Sequence, residues 1–149
     1  MRVTSAPARV SWRAAETEAV VVAGYAVGAL MLAGVAAVHV QQYVSLFHGV
    51  RWIGALFLAT AVASVAAVIG LAFRRVRQLA ALAGVVISVG ALAGLVVSYG
   101  QGLFGWQEAG FRTPVELAVI TEFGAVIALS IALAASTGTS AANARRGTQ

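Results

Sequence analysis

The residues that could do chemistry are few, and the most informative of them is Glu122. It is the only acidic residue well inside an apolar segment, the stretch 114–134. A second glutamate, Glu116, lies near the start of that stretch. An ionised carboxylate in a bilayer costs at least about 2.5–3.5 kcal/mol. Glu122 is therefore expected to be protonated, paired with a cation or in contact with water. Such a carboxyl group could bind a ligand or pass on a proton.

The natural ionic partner for Glu122 is His39. On a helix, His39 shares a face with Gly28, Leu32 and Val35, which is typical of a packed side. We expect His39 to lie several ångströms shallower than Glu122, so that contact needs a bridging water or a tilted helix. Glu116 lies about 120° around the helix from Glu122. The two glutamates therefore do not form a carboxylate pair on one face.

Most polar residues near the apolar segments lie toward one end of the predicted helices, which predicts a pocket open to the outside and closed toward the cytoplasm. The predicted ligand-binding cluster consists of His39, Thr60, Tyr99, Glu116 and Glu122. Two alternatives stay open: Glu122 as a structural carboxyl group bonded across helices, and His39 as an interfacial histidine. His48 lies in a connector and is expected to be solvated.

Several kinds of chemistry have no support in the sequence. The chain has no Cys, Asp or Lys, which excludes thiol chemistry and many hydrolytic and Schiff-base schemes. We find no nucleophile elbow, HExxH motif or phosphate-binding loop, so no catalytic residue is predicted. A metal site of His39, His48 and a glutamate is possible by residue type, but no spacing specifies it. The cofactor, if any, is left open.

The composition identifies the class of protein. Of 149 residues, 60% are hydrophobic and only 10% charged, with a mean hydropathy of +0.90. Soluble domains are usually about 25% charged. An integral membrane protein is therefore predicted, with the lipid bilayer as its surroundings and no nucleic-acid partner. The wealth of Ala, Val, Gly and Arg suggests a GC-rich bacterial genome, and hence the bacterial inner membrane.

Four apolar segments are long enough to cross a bilayer, which needs about 20 helical residues. Short connectors favour antiparallel neighbours, so the fold class is all-α, an up-down four-helix bundle. The flanking segments 1–18 and 136–149 are predicted to be polar tails, the second disordered. The predicted spans are residues 19–41, 52–73, 79–100 and 114–135.

The distribution of arginine predicts the orientation. Eight of the ten basic residues, all Arg, lie in the two tails and the connector at 74–78. On the opposite side lie only Arg51 and Arg112. Positive residues favour the cytoplasm, so both termini are predicted to be cytoplasmic. Seven aromatic residues are predicted to form a belt of membrane anchors on the outer side: Tyr43, Phe47, Trp52, Tyr99, Phe104, Trp106 and Phe111.

Small residues predict where helices pack closely. Gly24 and Gly28 in the first span, and Gly90 and Gly94 in the third, have the GxxxG spacing. In lipid, such residues allow the close backbone approach that holds helices together. We predict that they mark packing within the bundle, with dimerisation as the alternative.

Short motifs in the chain resemble a group of small bacterial four-helix membrane proteins of unassigned function. They are VHVQQY around His39, the GLFG turn at 102–105 within VVSYGQGLFGW, and PVELAVITEFGAV around Glu122. The layout of helices is also similar to that of DoxX-like proteins, although no clear DoxX motif is present. The resemblance implies the four-helix topology and the importance of His39 and Glu122, and no substrate.

These observations favour a non-enzymatic multi-pass membrane protein. It would bind a partner or small ligand through the outer polar cluster, or serve as an accessory subunit of a membrane complex, with a membrane-protein partner or a second copy. The alternatives are a quinone- or metal-linked redox component, in which His39 and Glu122 relay a proton, and a small transporter.

Overall fold

Four long helices make up the computed structural model. It describes residues 8–108, 110 and 112–146. Side chains are described for residue 12 and for residues 15–108, 110 and 112–138. They are α1 (Ala8–Gln42), α2 (Arg51–Ala72), α3 (Arg77–Gly100) and α4 (Thr113–Arg146). A π-helical turn, Tyr43–Phe47, continues α1 without a break. Over the described ranges the fold is therefore all-α, with short turns between the helices and one short bridge in the α3–α4 loop.

Each of the four helices is long and apolar enough to cross a membrane, as predicted. The most apolar stretch of each has a mean hydropathy of 2.2 to 2.4. Such helices suggest a multi-pass membrane protein. The candidate spans are Ala15–Phe47, Arg51–Ala72, Arg77–Gly100 and Thr113–Gly138.

The ends of the helices differ from the predicted boundaries in three places. The first helix begins at Ala8, and α4 runs on to Arg146, so parts of the two predicted tails are helical. Both segments are rich in Ala, the residue with the highest helix propensity. The predicted connector at 41–51 is mostly helix as well, because the turn Tyr43–Phe47 prolongs α1.

The helices form an antiparallel ring in chain order, closed by contact of α1 with α4. Within the described ranges, α2 and α4 occupy opposite corners and make no contact. The α1–α2 and α3–α4 connections lie at one end of the bundle, which we call the loop end. The α2–α3 connection lies at the other, which we call the terminal end because α1 begins and α4 finishes there.

A packed core fills the terminal half of the bundle. At Gly84 an added Cβ would lie 2.8 Å from side-chain atoms of both Leu32 and Leu129, so three helices meet at this glycine. Arg77 donates a hydrogen bond to the Leu71 carbonyl oxygen (2.8 Å) and stacks over the Tyr25 ring. The core contains Tyr25, Leu32, Ala67, Leu71, Ala80, Ala81, Ala125, Leu129 and Ala132. Helix packing therefore closes this half.

Only one of the two GxxxG pairs marks helix packing. An added Cβ at Gly24 would lie 2.9 Å from Ala132, and one at Gly28 would clash with Leu129. This pair therefore lets α1 and α4 approach closely. The prediction is wrong for the second pair: an added Cβ at Gly90 would have no neighbour within 4 Å, and one at Gly94 would only reach Leu103 at 4.0 Å. Both glycines of α3 line open space.

Candidate ligand-binding cavity

The loop half of the bundle contains a cavity of about 410 Å³. Its walls are the loop-end turns of all four helices, and small residues along α2 and α3 create the space. Ala59 and Ala63 line it from α2, and Gly90, Ala91 and Gly94 line it from α3. Ligand cavities in proteins commonly measure about 300–1,000 Å³. The volume is therefore enough for a small ligand or the head of a larger one.

His39 and Glu122 meet on the wall formed by α1 and α4. The His39 Nε2 atom lies 3.8 Å from Glu122 Oε1, and the two side chains are only 8% and 2% exposed. The other ring nitrogen, Nδ1, is 2.9 Å from the Val35 carbonyl oxygen. A carbonyl can only accept, so Nδ1 must carry a proton and donate. In the neutral ring Nε2 is then an acceptor facing the carboxyl group.

This direct approach corrects the expectation that His39 lies shallower than Glu122. The helical turn Tyr43–Phe47 carries α1 two turns beyond His39. At about 1.5 Å per residue, His39 and Glu122 are each between about 11 and 14 Å from the loop end of their helix. The two side chains therefore lie at matching depth without a bridging water.

One oxygen of Glu122 faces no protein partner. Its Oε2 atom is buried and has no hydrogen-bond partner among the described residues. Below the cavity, Ala125 and Leu129 of the same helix are fully buried, and Ala118 lines the cavity above. Leaving a buried polar atom unpaired costs about 1–3 kcal/mol. An unpartnered polar atom on a residue that lines a cavity favours a ligand that would pair with it.

Aromatic rings form the part of the wall next to His39. The Phe57 ring lies 5.0 Å from the His39 ring and stacks on Phe47 at 4.6 Å. Trp106 meets Phe47 edge-on at 5.0 Å. Gly54 makes room for the turn that carries Phe47, since a side chain there would clash with the Phe47 carbonyl oxygen. These ring arrangements are the favourable ones for aromatic pairs.

Two of the predicted belt aromatics therefore have another role. Phe47 is only 2% exposed, and Trp106 lines the cavity with its indole nitrogen buried and without a partner among the described residues. Trp52 and Phe104 are each 63% exposed, as expected of membrane anchors. The predicted belt residue Phe111 lies outside the described residues. Burial, which the residue type does not reveal, separates the two groups.

The GLFG turn covers the cavity at the loop end. Leu103 and Trp106 exchange both backbone hydrogen bonds, at 2.7 and 2.9 Å, to form a miniature hairpin. The two residues between them, Phe104 and Gly105, have φ values of 48° and 83°. Positive φ at both positions is the type I′ turn that suits tight hairpins. The turn aims Leu103 and Trp106 back into the bundle, where both line the cavity.

The charge at the rim of the cavity is balanced. Glu108 lines the cavity, and Arg112 holds its carboxylate with two hydrogen bonds of 3.1 and 3.0 Å. A two-pronged contact of this kind fixes both side chains. No arginine lines the cavity among the described residues. His39 and Glu122 are therefore left to set its charge.

The other predicted site residues divide between the cavity and its surroundings. Thr60 lines the cavity. Tyr99 lies outside the cavity lining, and its hydroxyl donates to the Gly110 carbonyl oxygen at 2.8 Å, which ties down the α3–α4 loop. Glu116 and His48 are exposed and lie outside the cavity as well. Among the described residues, no group of three or more His, Asp or Glu could hold a metal ion.

The sequence reasoning missed most of the lining, and three of the missed residues are polar or pack on His39. Gln42 and Ser98 are buried polar residues of the lining, and Phe57 carries the stack between His39 and Phe47. Gln42 follows His39 by three residues, a spacing that places both on one helical face. That spacing could have identified Gln42. Nothing comparable connects Ser98 or Phe57 to the other helices in the sequence.

Comparisons with known proteins found no relative of this chain. No family model, curated protein or solved structure matches the chain. The resemblance to small bacterial four-helix proteins therefore stays a prediction.

Proposed function

We propose that this chain is a non-enzymatic multi-pass protein of the bacterial inner membrane that binds a small ligand in the cavity. Its termini lie in the cytoplasm, so the loop end faces outward, as the distribution of arginine favours. His39 and Glu122 hold the polar part of the ligand. The packed core of the terminal half separates the cavity from the cytoplasmic side.

The observation that carries this proposal is the unpartnered Oε2 atom of Glu122. The side chain is 2% exposed and lines a cavity of about 410 Å³. A purely structural carboxyl group would use both oxygens in bonds between helices, because unpaired polar atoms in lipid are costly. Here one oxygen lies 3.8 Å from His39, and the other has no partner among the described residues, which favours a ligand as its partner.

Ligand binding predicts that a small molecule co-purifies with the protein. Native mass spectrometry of protein released from mild detergent is expected to show an adduct in the natural chain. The adduct should disappear in Glu122→Leu, because the ligand loses its polar contact. It should persist in Glu116→Leu, a matched change at an exposed glutamate of the same helix. An adduct retained equally by both variants would place the ligand elsewhere.

The contact between His39 and Glu122 also favours a second candidate, a redox-linked component in which the two residues relay a proton. Nδ1 of His39 is tied to Val35, so Nε2 is free to exchange a proton with the carboxyl group at 3.8 Å. A redox role requires a quinone or another electron carrier. Ultraviolet and visible spectra of the purified protein, oxidised and then reduced, are expected to change if this candidate is right; identical spectra would exclude it.

The proposed orientation predicts which single cysteines can be labelled from outside intact cells. The natural chain has no Cys, so each introduced thiol is unambiguous. Gly49→Cys, in the α1–α2 connection, is expected to react with a membrane-impermeant maleimide. Arg75→Cys, in the α2–α3 connection, is expected to react only after permeabilisation. The reverse pattern would invert the topology.

A further inference from the structure

The cavity has an open side between α2 and α3. Four of its lining residues are also exposed: Leu56 and Ala59 on α2, and Val86 and Gly90 on α3. They form the two edges of a window. Ala59 is about 12 Å and Gly90 about 15 Å from the loop end of its helix. In a bilayer with a hydrocarbon core of about 30 Å, this window faces lipid chains.

The other sides of the cavity are covered. Close packing of α1 on α4 forms the back wall. A Cβ added at Gly34 would lie 2.7 Å from Thr121, and one added at Gly124 would lie 2.7 Å from Met31, so these glycines let the two helices approach closely. The hairpin of Leu103 and Trp106 covers the loop end. The core around Leu129 fills the terminal half. Among the described residues, the exposed part of the lining lies on α2 and α3 alone, so the window is the side that opens toward hydrocarbon.

A groove continues from the window along the surface of α2 and α3. It has a volume of about 320 Å³ and runs from Ala63 and Ile87, which also line the cavity, past Ala66 and Ala83 toward the terminal end. Its lining consists only of Ala, Val, Leu and Ile. The cavity and groove together match an amphipathic molecule, with its polar head near Glu122 and an apolar chain lying in the groove.

The polar residues that line the cavity indicate a neutral head. Glu122 Oε2 can donate when the carboxyl group is protonated and accept when it is ionised. The Trp106 indole N–H can only donate, and it too has no described partner. An anionic head would find no arginine in the lining. A cationic head could not accept from Trp106 and would compete with His39 for Glu122. A neutral head with hydroxyl or carbonyl oxygens satisfies all three residues.

We propose that the ligand is a neutral, lipid-soluble molecule with an oxygen-bearing ring as its head and an apolar chain, which enters from the bilayer between α2 and α3. This rests on the proposed function and assigns its ligand class and route. The ring lies against the stack of His39, Phe57 and Phe47, where a flat head makes the most contact. The chain leaves through the window and follows the groove.

The head group can be tested with tryptophan fluorescence in nanodiscs. In a Trp12→Phe/Trp52→Phe background, Trp106 is the single reporter and lies in the cavity wall. A benzoquinone with a decyl chain is expected to quench it saturably. Tetraphenylphosphonium, a lipophilic cation, and dodecanoate, an anion, are expected to displace the quinone only at more than tenfold higher concentration. Displacement by either compound at less than ten times the concentration of the quinone would overturn the neutral head.

The route can be tested with three Ala→Phe or Val→Phe changes at exposed positions of α2. Ala59→Phe, at the edge of the window, is expected to slow the association of the decyl quinone at least tenfold. Ala66→Phe, in the groove, is expected to weaken the binding of the decyl quinone about tenfold and to leave the binding of a methyl-substituted quinone unchanged. Val65→Phe lies in neither lining and should change nothing. Saturable binding that neither Ala59→Phe nor Ala66→Phe affects would overturn the route.

These results also separate this inference from the proposed function on which it rests. If no probe quenches Trp106 and no small molecule co-purifies, the cavity has no ligand and both fail together. If a co-purified molecule depends on Glu122 but is charged or lacks an apolar chain, the proposed function stands and the ligand class is wrong.

Discussion

The double variant His39→Leu/Glu122→Leu is expected to unfold less readily than the natural chain and to bind no ligand in the cavity. Both groups are nearly buried, and they approach to 3.8 Å without a close hydrogen bond. Replacing a buried ionic pair by apolar residues is often stabilising, by about 1–4 kcal/mol. The change also removes the unpartnered Oε2 atom. The free energy of unfolding in detergent and quenching of Trp106 measure the two effects.

The single variants separate a structural role from a functional one. Glu122→Gln keeps the volume and the ability to hydrogen-bond, so it is expected to stay folded. Glu122→Leu leaves Nε2 of His39 without a partner, which costs about 1–3 kcal/mol and offsets the gain at Oε2. Its stability should therefore fall below that of the double variant.

An outcome of the opposite kind would make Glu122 a structural residue. Suppose that Glu122→Leu and the double variant both lose several kcal/mol of stability while ligand quenching of the folded fraction is unchanged. The carboxyl group would then hold the helices together and have no part in binding. Glu116→Leu, at an exposed position of the same helix, controls for the loss of a carboxylate as such.

The parts of the fold that the sequence predicts are those governed by hydropathy. Long apolar segments predict the four helices, because about 20 apolar residues leave little choice but a helix in lipid. The same reasoning places Glu122 correctly: Ala125 and Leu129 on its face are fully buried. Its partner His39 is also predicted, since an acidic residue at depth needs one and few candidates exist.

The parts that the sequence does not predict depend on how separate segments meet. The helical turn Tyr43–Phe47, whose residues look like a polar and aromatic connector, sets the depth of His39. Trp106 resembles a membrane anchor, and only the hairpin at Phe104 and Gly105 turns it inward. Neither the extension of α1 nor the hairpin turn leaves a periodic pattern in the sequence. The site therefore emerges from a helix extension and a turn whose consequences appear only in three dimensions.

The two GxxxG pairs show most clearly what spacing alone cannot predict, because the same spacing has opposite consequences in α1 and α3. Gly28→Val is expected to destabilise the bundle by about 1–3 kcal/mol, since its side chain would occupy the position of Leu129 between α1 and α4. Gly90→Val is expected to stay within about 0.5 kcal/mol of the natural chain, because an added side chain there meets open space. Thermal unfolding in detergent, followed by circular dichroism, measures both.

Binding should change in the reverse order. Gly90→Val narrows the cavity and its window, so the decyl quinone should bind at least several-fold more weakly to a fully folded protein. Gly28 lies outside the cavity lining, and the folded fraction of Gly28→Val should bind as the natural chain does. Equal losses of stability at both positions would mean that α3 packs on another helix through Gly90. The open side would then be an interface between helices, and the ligand would need another way in.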